Sequence, residues 1–500
     1  MKILKDHFSL STALLIFILL LGLFFRIYKL EIFYPFGHDQ DLFAWVAKDI
    51  VADHHFRLIG QETSVNGVFI GPIFYYLIAI CFALFNMDPM SANIPTTIFS
   101  LLTIFSIYFV FSKFFNKTIG LVGAFIYAVS PGIVFLDRWV VPTQPTILWT
   151  TWYLYILFSL LKGKIKTLIP LSILLGLIWH VHIAFIPLLA LLPLSFLLSP
   201  KENREIKVSL KDIIISGLIL FSLLLPLVTF EVRHNFQQVK GLLNATQEDR
   251  GDVKGFERLI KTFDATGKSL SGMFVLNNNA LNLSLNVTVL LPIILLIYIL
   301  YSGYIKVLTR NQTIILISWM GITLLSQFLS KRSISEYYLN NLFIIFILVL
   351  SIFLFKINSI FKKLPLALVI CGIYLLIVTS WLINRPDDPG GYLQKRLTIE
   401  YIRNDALLNN YPCIGINYIE GNKGFPNGFR YLFWHNGLNL VTPGGDVPVY
   451  DIVTPWTISE KEVSVKFGMF GVILPHNNIS NKNICTDKDR QLLPLWGFTN

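Results

Sequence analysis

The stretch Gly37–Val51, GHDQDLFAWVAKDIV, sets two carboxylates two residues apart at the head of an amphipathic segment. A carboxylate of ordinary pKa can take the proton of a hydroxyl while a new bond to that oxygen forms. On a helix, positions i and i+2 point to different faces, so at most one of Asp39 and Asp41 needs this role. Plainer roles stand beside it. Asp39 can cap a helix over 40–52, and Asp41 in its first turn can complement the helix dipole. A third acid, Asp137, stands next to Arg138 in SPGIVFLDRWVVPTQP, 130–145. Together they can be a local ion pair, which is worth little at a surface. Farther along come His180 and His182, then Glu231 and Arg233 in FEVRHNF, then Lys331, Arg332, Glu336 and Tyr338 around SEYYL. Guanidinium groups suit phosphate, and tyrosines suit a membrane interface. Two histidines at i and i+2 do not share a helix face. No metal site is expected from them, and each can be a hydrogen-bonded core residue.

What must hold these residues is a set of membrane helices. The 500 residues are 54% hydrophobic and 14% charged, against about 25% charged in soluble chains. Many apolar runs reach the length of roughly 18 residues that a bilayer requires. The first, Phe8–Phe25, is too long for the apolar core of a signal peptide. No small-x-small cleavage site follows it, so it reads as a retained helix. The net charge of +11 sits in short Lys and Arg clusters between apolar runs. That is the positive-inside pattern rather than a nucleic-acid surface. Cys81 and Cys371 lie in apolar runs and read as buried thiols. Cys413 and Cys485 can pair if the polar tail lies outside the cytoplasm.

Lys2 and Lys5 put the N-terminus inside, and a helix over 8–28 carries Asp39 and Asp41 to the outside. The next apolar run, 71–86, would make a helix of only about 21 Å. The hydrocarbon core is about 30 Å thick, so this run reads as an interfacial helix anchored by Tyr75 and Tyr76. Spans follow at 94–112, 119–136, 146–161, 167–181, 183–198, 212–230, 285–303, 313–329, 339–355 and 365–383. Lys113 with Lys117, the clusters 162–166 and 201–207, Lys306 with Arg310, and Lys356 with Lys362 and Lys363 then fall inside. Lys331 and Arg332 are the exception, in an outer loop with Glu336. A full crossing by 71–86 would invert every later cluster. A polar loop over 231–284 is outside, as is the tail, 385–500. The tail alternates short apolar runs (CIGINYI, FRYLFW, FGVILP) with Gly, Pro and Asn and reads as a small mixed α/β domain. There is no internal repeat and no Walker, Rossmann or zinc-finger pattern.

Threaded this way, Asp39, Asp41, Asp137, Arg138, His182, Glu231, Arg233, Glu336 and Tyr338 gather at outer helix ends. Ionisable groups at membrane depth are functional candidates. GHDQDLFAWVAKDIV, TSVNGVFIGPIFYYLIA (63–79), SPGIVFLDRWVVPTQP, FEVRHNF and SEYYL, in this order, resemble motifs of the GT-C superfamily of polyprenyl-phosphate-sugar-dependent glycosyltransferases. Within it the chain is similar to the bacterial protein-mannosyltransferase and lipid A aminoarabinose-transferase group, family 39-like. The resemblance covers residues 1 to about 350. The tail matches only as a variable extracytoplasmic domain. Gln40 stands where the family often has Glu, and Asp137 is the only acid of the second loop, which leaves the second acidic role open.

The resemblance implies an all-α polytopic GT-C membrane protein with about 11 transmembrane helices plus an interfacial helix (1–384). A small extracytoplasmic α/β domain (385–500) completes it. It implies a plasma-membrane enzyme that moves a sugar, with inversion, from a polyprenyl-phosphate donor to an extracytoplasmic glycan, lipid or protein. Asp39, Asp41 and Asp137 are its candidate catalytic acids, with Asp39 the expected base. Arg138, His182, Glu231, Arg233, Arg332, Glu336 and Tyr338 are its candidate substrate-binding residues, with Arg138, Arg233 and Lys331 or Arg332 on the leaving phosphate. Sugar, acceptor and cofactor are not legible. A transporter or flippase of lipid-linked sugars is the alternative. It fits less well, because such proteins place polar sites near the bilayer midplane and often carry inverted repeats. A polysaccharide polymerase or ligase of another fold would not need the acidic first loop.

Overall fold

Apolar stretches of membrane length decide most of this architecture. The computed structural model describes residues 10–163, 167–200, 209–245, 253–274, 285–330, 332–360, 365–419, 428–453, 462–476, 483–492 and 495. Along them run α1 (Leu10–Ile27), α2 (Leu30–Phe33), α3 (His38–Ala52), α4 (Ile73–Leu84), α5 (Asn93–Phe114), α6 (Lys117–Val129), α7 (Pro131–Arg138), α8 (Thr146–Leu161), α9 (Leu168–Val181) and α10 (Leu191–Leu197). Then come α11 (Leu210–Arg233), α12 (Gln237–Ala245), α13 (Gly255–Gly272), α14 (Leu285–Tyr304), α15 (Arg310–Leu329), α16 (Phe343–Ile360) and α17 (Leu366–Asn384). Seven helical stretches among the described residues are long and apolar enough to cross a membrane: α1, α5 with its lead-in, α11, most of α14, α15, α16 with its lead-in, and α17. The pair α6 and α7 makes a bent eighth, and α8, α9 and the stretch 183–197 are apolar but shorter. They coincide in position with the eleven expected spans, eight of which reach crossing length when the bent pair counts as one. α4, at 12 residues, is about 18 Å long and too short to cross.

The helix expected over 119–136 breaks. α6 and α7 meet at 62°, and Ser130 between them is extended, with φ −65° and ψ 122°. Pro131 is the cause, since its ring disfavours a helical residue before it. The helix expected over 183–198 begins as a 3-10 turn, Ile183–Ala190, before α10. Pro187, inside that turn, has no N–H to give a regular helix. The expected polar loop over 231–284 contains α12 and α13. The buried face of α13, including Thr262, Thr266 and Leu270, packs on α14 and α15.

Beyond α17, α18 (Tyr392–Leu408) and α19 (Arg430–His435) pack with five strands. These are β1 (Ile414–Ile419), β2 (Leu440–Val441), β3 (Val449–Val453), β4 (Val465–Phe467) and β5 (Phe470–Ile473), in the order β2-β1-β3-β5-β4. β1 runs parallel to β2 and β3, and β5 antiparallel to β3 and β4. Cys413, just before β1, is disulfide-bonded to Cys485 across 72 residues. Closing a loop of that size lowers unfolded-chain entropy by the equivalent of about 4 kcal/mol. Cys81 is buried and Cys371 half-buried, both free. One large apolar core fills the helix bundle. A second is shared: Phe43, Phe74 and Ile78 of α3 and α4 belong to it together with Ile399, Tyr431 and Phe470 of the tail.

Candidate active site

The first turn of α3 is built around Gly37 and Gln40. Gln40 Oε1 accepts from the Gly37 N–H at 2.9 Å, while its Nε2 donates to the Val140 carbonyl at 3.0 Å. The N-cap is Gly37, so Asp39 is not the cap and its carboxylate is left for other work. Asp39 lines a cavity of about 580 Å³ whose largely apolar walls carry a cluster of polar side chains, and Gln61 Nε2 donates to its Oδ1 at 3.1 Å. Burial raises the Asp39 pKa above its ordinary value, opposed by the charge of His38 and by the Gln61 hydrogen bond.

Other walls of the cavity come from distant segments. His182, at the turn after α9, accepts the Ala184 N–H on Nδ1 at 3.0 Å. The neutral ring therefore carries its proton on Nε2. Burial pushes the His182 pKa down to about 4, and its ring lies 5.5 Å from that of Tyr337 and 5.1 Å from that of Tyr338. The Tyr338 hydroxyl is 2.8 Å from that of Ser64, which ties the loop after α3 to the turn before α16. Burial raises the Tyr337 phenol to about 12. Arg332 also lines the cavity. The buried Arg258 of α13 donates to the Arg332 carbonyl at 2.7 Å and to that of Gln327 at 3.0 Å, fixing the end of α15.

The remaining candidates stand elsewhere. Asp41, with no exposure, turns away from the cavity and accepts the backbone N–H groups of Tyr431 at 2.6 Å and Arg430 at 3.2 Å. Asp137, 3% exposed, pairs with Arg26 at 2.6 Å. It also accepts from the Tyr127 hydroxyl at 3.0 Å and Gln144 Nε2 at 2.9 Å. Its partner is thus Arg26 of α1, not its neighbour Arg138. Arg138 is itself 1% exposed and donates to the carbonyls of Phe25 at 2.6 Å and Tyr28 at 2.9 Å, closing the end of α1. Glu231 accepts the N–H groups of Gln238 and Val239 at 3.1 and 3.3 Å, at the start of α12. Arg233 is exposed at the end of α11. None of these five lines the cavity. His180 Nε2 lies 2.8 Å from the Leu223 carbonyl, as a core histidine. Lys331 and the side chain of Glu336 lie outside the described residues, as do Lys2, Lys5, the cluster 201–207, Lys362 and Lys363. Sequence reasoning did not single out Gln61, Glu62, Ser64 or Trp139, and gave Tyr337 only an interface role; all five line the cavity. The available signal was a polar loop beside Asp39 on the same expected side.

Next to the Asp39 cavity lies an apolar groove of about 720 Å³ between α4, α5, α8 and α9. Pro142 and Val181 line both. Among the described residues no three His, Cys, Asp or Glu side chains group as metal ligands.

Residues 70–230 match the family model for dolichyl-phosphate-mannose-protein mannosyltransferase. That segment carries α4 through α11 and several of the residues that line the cavity and groove. No curated protein is a significant match in sequence. Among solved structures, ArnT from Cupriavidus metallidurans bound to undecaprenyl phosphate is similar over 94% of this chain and 99% of its own, at 11% identity and a TM-score of 0.56. The Archaeoglobus fulgidus oligosaccharyltransferase in complex with Zn and sulfate is similar over 88% of this chain and 68% of its own, at 14% identity and a TM-score of 0.49. This multi-pass membrane protein therefore shares the GT-C fold of ArnT along nearly the whole of both chains, with a mannosyltransferase family match over α4 to α11.

Proposed function

We propose that this chain transfers a sugar, with inversion, from a polyprenyl-phosphate carrier to an acceptor hydroxyl at the outer face of the plasma membrane. The observation that carries the reading is the junction at Pro142 and Val181. There a cavity lined by two half-buried carboxylates, Asp39 and Glu62, meets an apolar groove between helices. Glu62 is engaged by the Gly67 N–H at 2.7 Å, which leaves Asp39 as the candidate base. A polyprenyl chain is apolar and long, and its phosphate end is polar. A ligand of that kind needs both spaces joined. The similar ArnT was crystallised with undecaprenyl phosphate, which supports the same class of carrier here. The Cys413–Cys485 disulfide supports a tail in an oxidising compartment outside the cytoplasm.

In this mechanism the acceptor oxygen attacks the anomeric carbon from the side opposite the phosphate. The bond from that carbon to the phosphate oxygen breaks and the carrier leaves as polyprenyl phosphate. Asp39 takes the hydroxyl proton as the new bond forms. Its raised pKa makes it a stronger base than an exposed aspartate. A phosphate is already a good leaving group and needs positive charge and N–H donors rather than an acid. Arg332 and the Nε2–H of neutral His182 supply these, and Arg138 and Arg233 are no longer assigned to this task. The test is transfer from a polyprenyl-phosphate sugar by purified protein in detergent. Asp39→Asn should lower kcat roughly 10²–10⁴-fold while donor binding persists. Asp39 does not cap its helix, so a fully active Asp39→Asn protein would remove the base and with it this mechanism.

A further inference from the structure

We propose that Asp41 is a positioning residue: it clamps the C-terminal sheet unit onto α3, and that unit thereby sets where Asp39 stands in the cavity. The inference rests on the assignment of Asp39 as the base.

Asp39 and Asp41 share one helical turn but face away from each other, since two residues rotate a helix by about 200°. A shift of that turn moves both. The Asp41 carboxylate is fully enclosed and its acceptors are taken up by the first N–H groups of α19. The extended segment leading into α3 is held by the same unit. The Tyr392 N–H donates to the Tyr34 carbonyl at 3.0 Å, and Lys395 Nζ donates to the Phe36 carbonyl at 2.5 Å. Gly428, at φ +78°, packs so closely that a Cβ there would lie 2.7 Å from the Phe36 oxygen and 2.8 Å from the Gly37 oxygen. On the outer flank of α3, the Trp45 ring receives the Arg430 guanidinium and the Lys48 ammonium, each at 4.6 Å. Lys48 also approaches Trp434 at 5.5 Å. The apolar core beneath is continuous from α3 and α4 into α18, α19 and β5. The mount of Asp39 is therefore made by α18 and residues 428–434 as much as by the helix bundle.

Charge fits this reading. Burial raises the Asp41 pKa to about 6, against the Tyr431 and Arg430 N–H groups and the charges of Lys395 and His38, which lower it. A carboxylate kept in so enclosed a place needs those two N–H donors. The Asp41→Asn amide can accept on one oxygen but turns an N–H₂ toward donors. A displacement of about 1 Å at a reacting group can cost about 10²-fold in rate.

The experiment uses the full chain, purified in detergent, and two variants that loosen the clamp from opposite sides: Asp41→Asn, and Gly428→Ala, which leaves Asp41 in place. Transfer from a polyprenyl-phosphate sugar gives kcat and donor KM. Hydrogen exchange read by mass spectrometry gives the protection of peptides spanning 34–41 and 428–435. In both variants those two peptides should exchange at least about tenfold faster and kcat should fall at least about tenfold. Donor KM should stay within about twofold, and exchange in the membrane helices should be unchanged. Faster exchange with an undiminished kcat would overturn the proposal, because the unit would then not set the base. A lost kcat with unchanged exchange would overturn it equally, because Asp41 would then act in the chemistry itself. If Asp41→Asn does not fold, Gly428→Ala decides alone. Should Asp39→Asn prove active, the exchange measurement still reports the clamp, and what fails is the assignment of the base.

Discussion

At the scale of single residues, charge neighbours in sequence are poor guides to charge neighbours in space. Asp137 and Arg138 are adjacent in the chain, yet each finds partners on or just beyond α1, while Nε and Nη1 of Arg138 have no hydrogen-bond partner among the described residues. Asp137 meets Arg26, and Arg138 meets two carbonyls at the end of that helix. Arg332, in a weakly patterned loop, faces the cavity. This ranks the two arginines. Arg332→Ala should lower kcat/KM for the lipid-linked donor by the equivalent of about 2–4 kcal/mol, as loss of an oxyanion donor does. Arg138→Ala should lower thermal stability by about 1–3 kcal/mol, because two carbonyls lose their donor, with turnover per folded molecule retained. Kinetics and unfolding measured on both variants check this, and the reverse ranking would return Arg138 to the phosphate. Asp39, His182 and Tyr338 could be read as cavity residues because each ends an element whose direction the basic clusters had set. Asp137 could not, since its partner is 111 residues away and no local pattern encodes that pairing.

At the scale of elements, the spans were legible because apolar length is a local property, and so was the shortness of α4. The break at Ser130 was legible in principle from Pro131 alone. What was not legible is how closely elements approach. Gly71, the residue before Pro72 at the head of α4, donates its N–H to the Trp179 carbonyl at 2.9 Å. A Cβ on it would lie 1.9 Å from Nδ1 of His180. The small residue is thus required where α4 meets the end of α9, at the wall of the apolar groove. Gly71→Ala should cost about 1–3 kcal/mol of stability through overpacking. A drop in Tm, with partial relief when His180 is also cut back to Ala, is the expected result. An unchanged Tm would mean that the two helices slide apart freely.

At the scale of the whole molecule, the tail is no appendage. The shared core puts α19 against the helix that bears Asp39 and α18 against the segment that leads into it. Sequence patterning alone separated it as a unit at 385, because composition changes there, and could not reveal that its core continues into α3 and α4. Its proposed position outside the cytoplasm is open to direct labelling. A single cysteine at Gly437, where φ is +75° and a Cβ has open space around it, should react with an impermeant thiol reagent in intact cells. The position is in a turn, so the strain of the substitution stays local. Protection there until the membrane is breached would invert the whole topology, and the proposed outer active site with it.

The pairing of Arg26 with Asp137 also bears on how the chain is made. Arg26 lies in the last turn of the first membrane helix. Its partners beyond that helix, Tyr127, Ala128 and Asp137, are encoded between 101 and 111 residues later. At a synthesis rate of about 5–20 residues per second, roughly 5–20 seconds pass before they exist. Through that interval α1 carries a guanidinium at the membrane boundary with its eventual counter-charge still unmade. The contacts that hold Arg26 can form only once α6 and α7 have been made, so α1 waits on two later helices for its counter-charge.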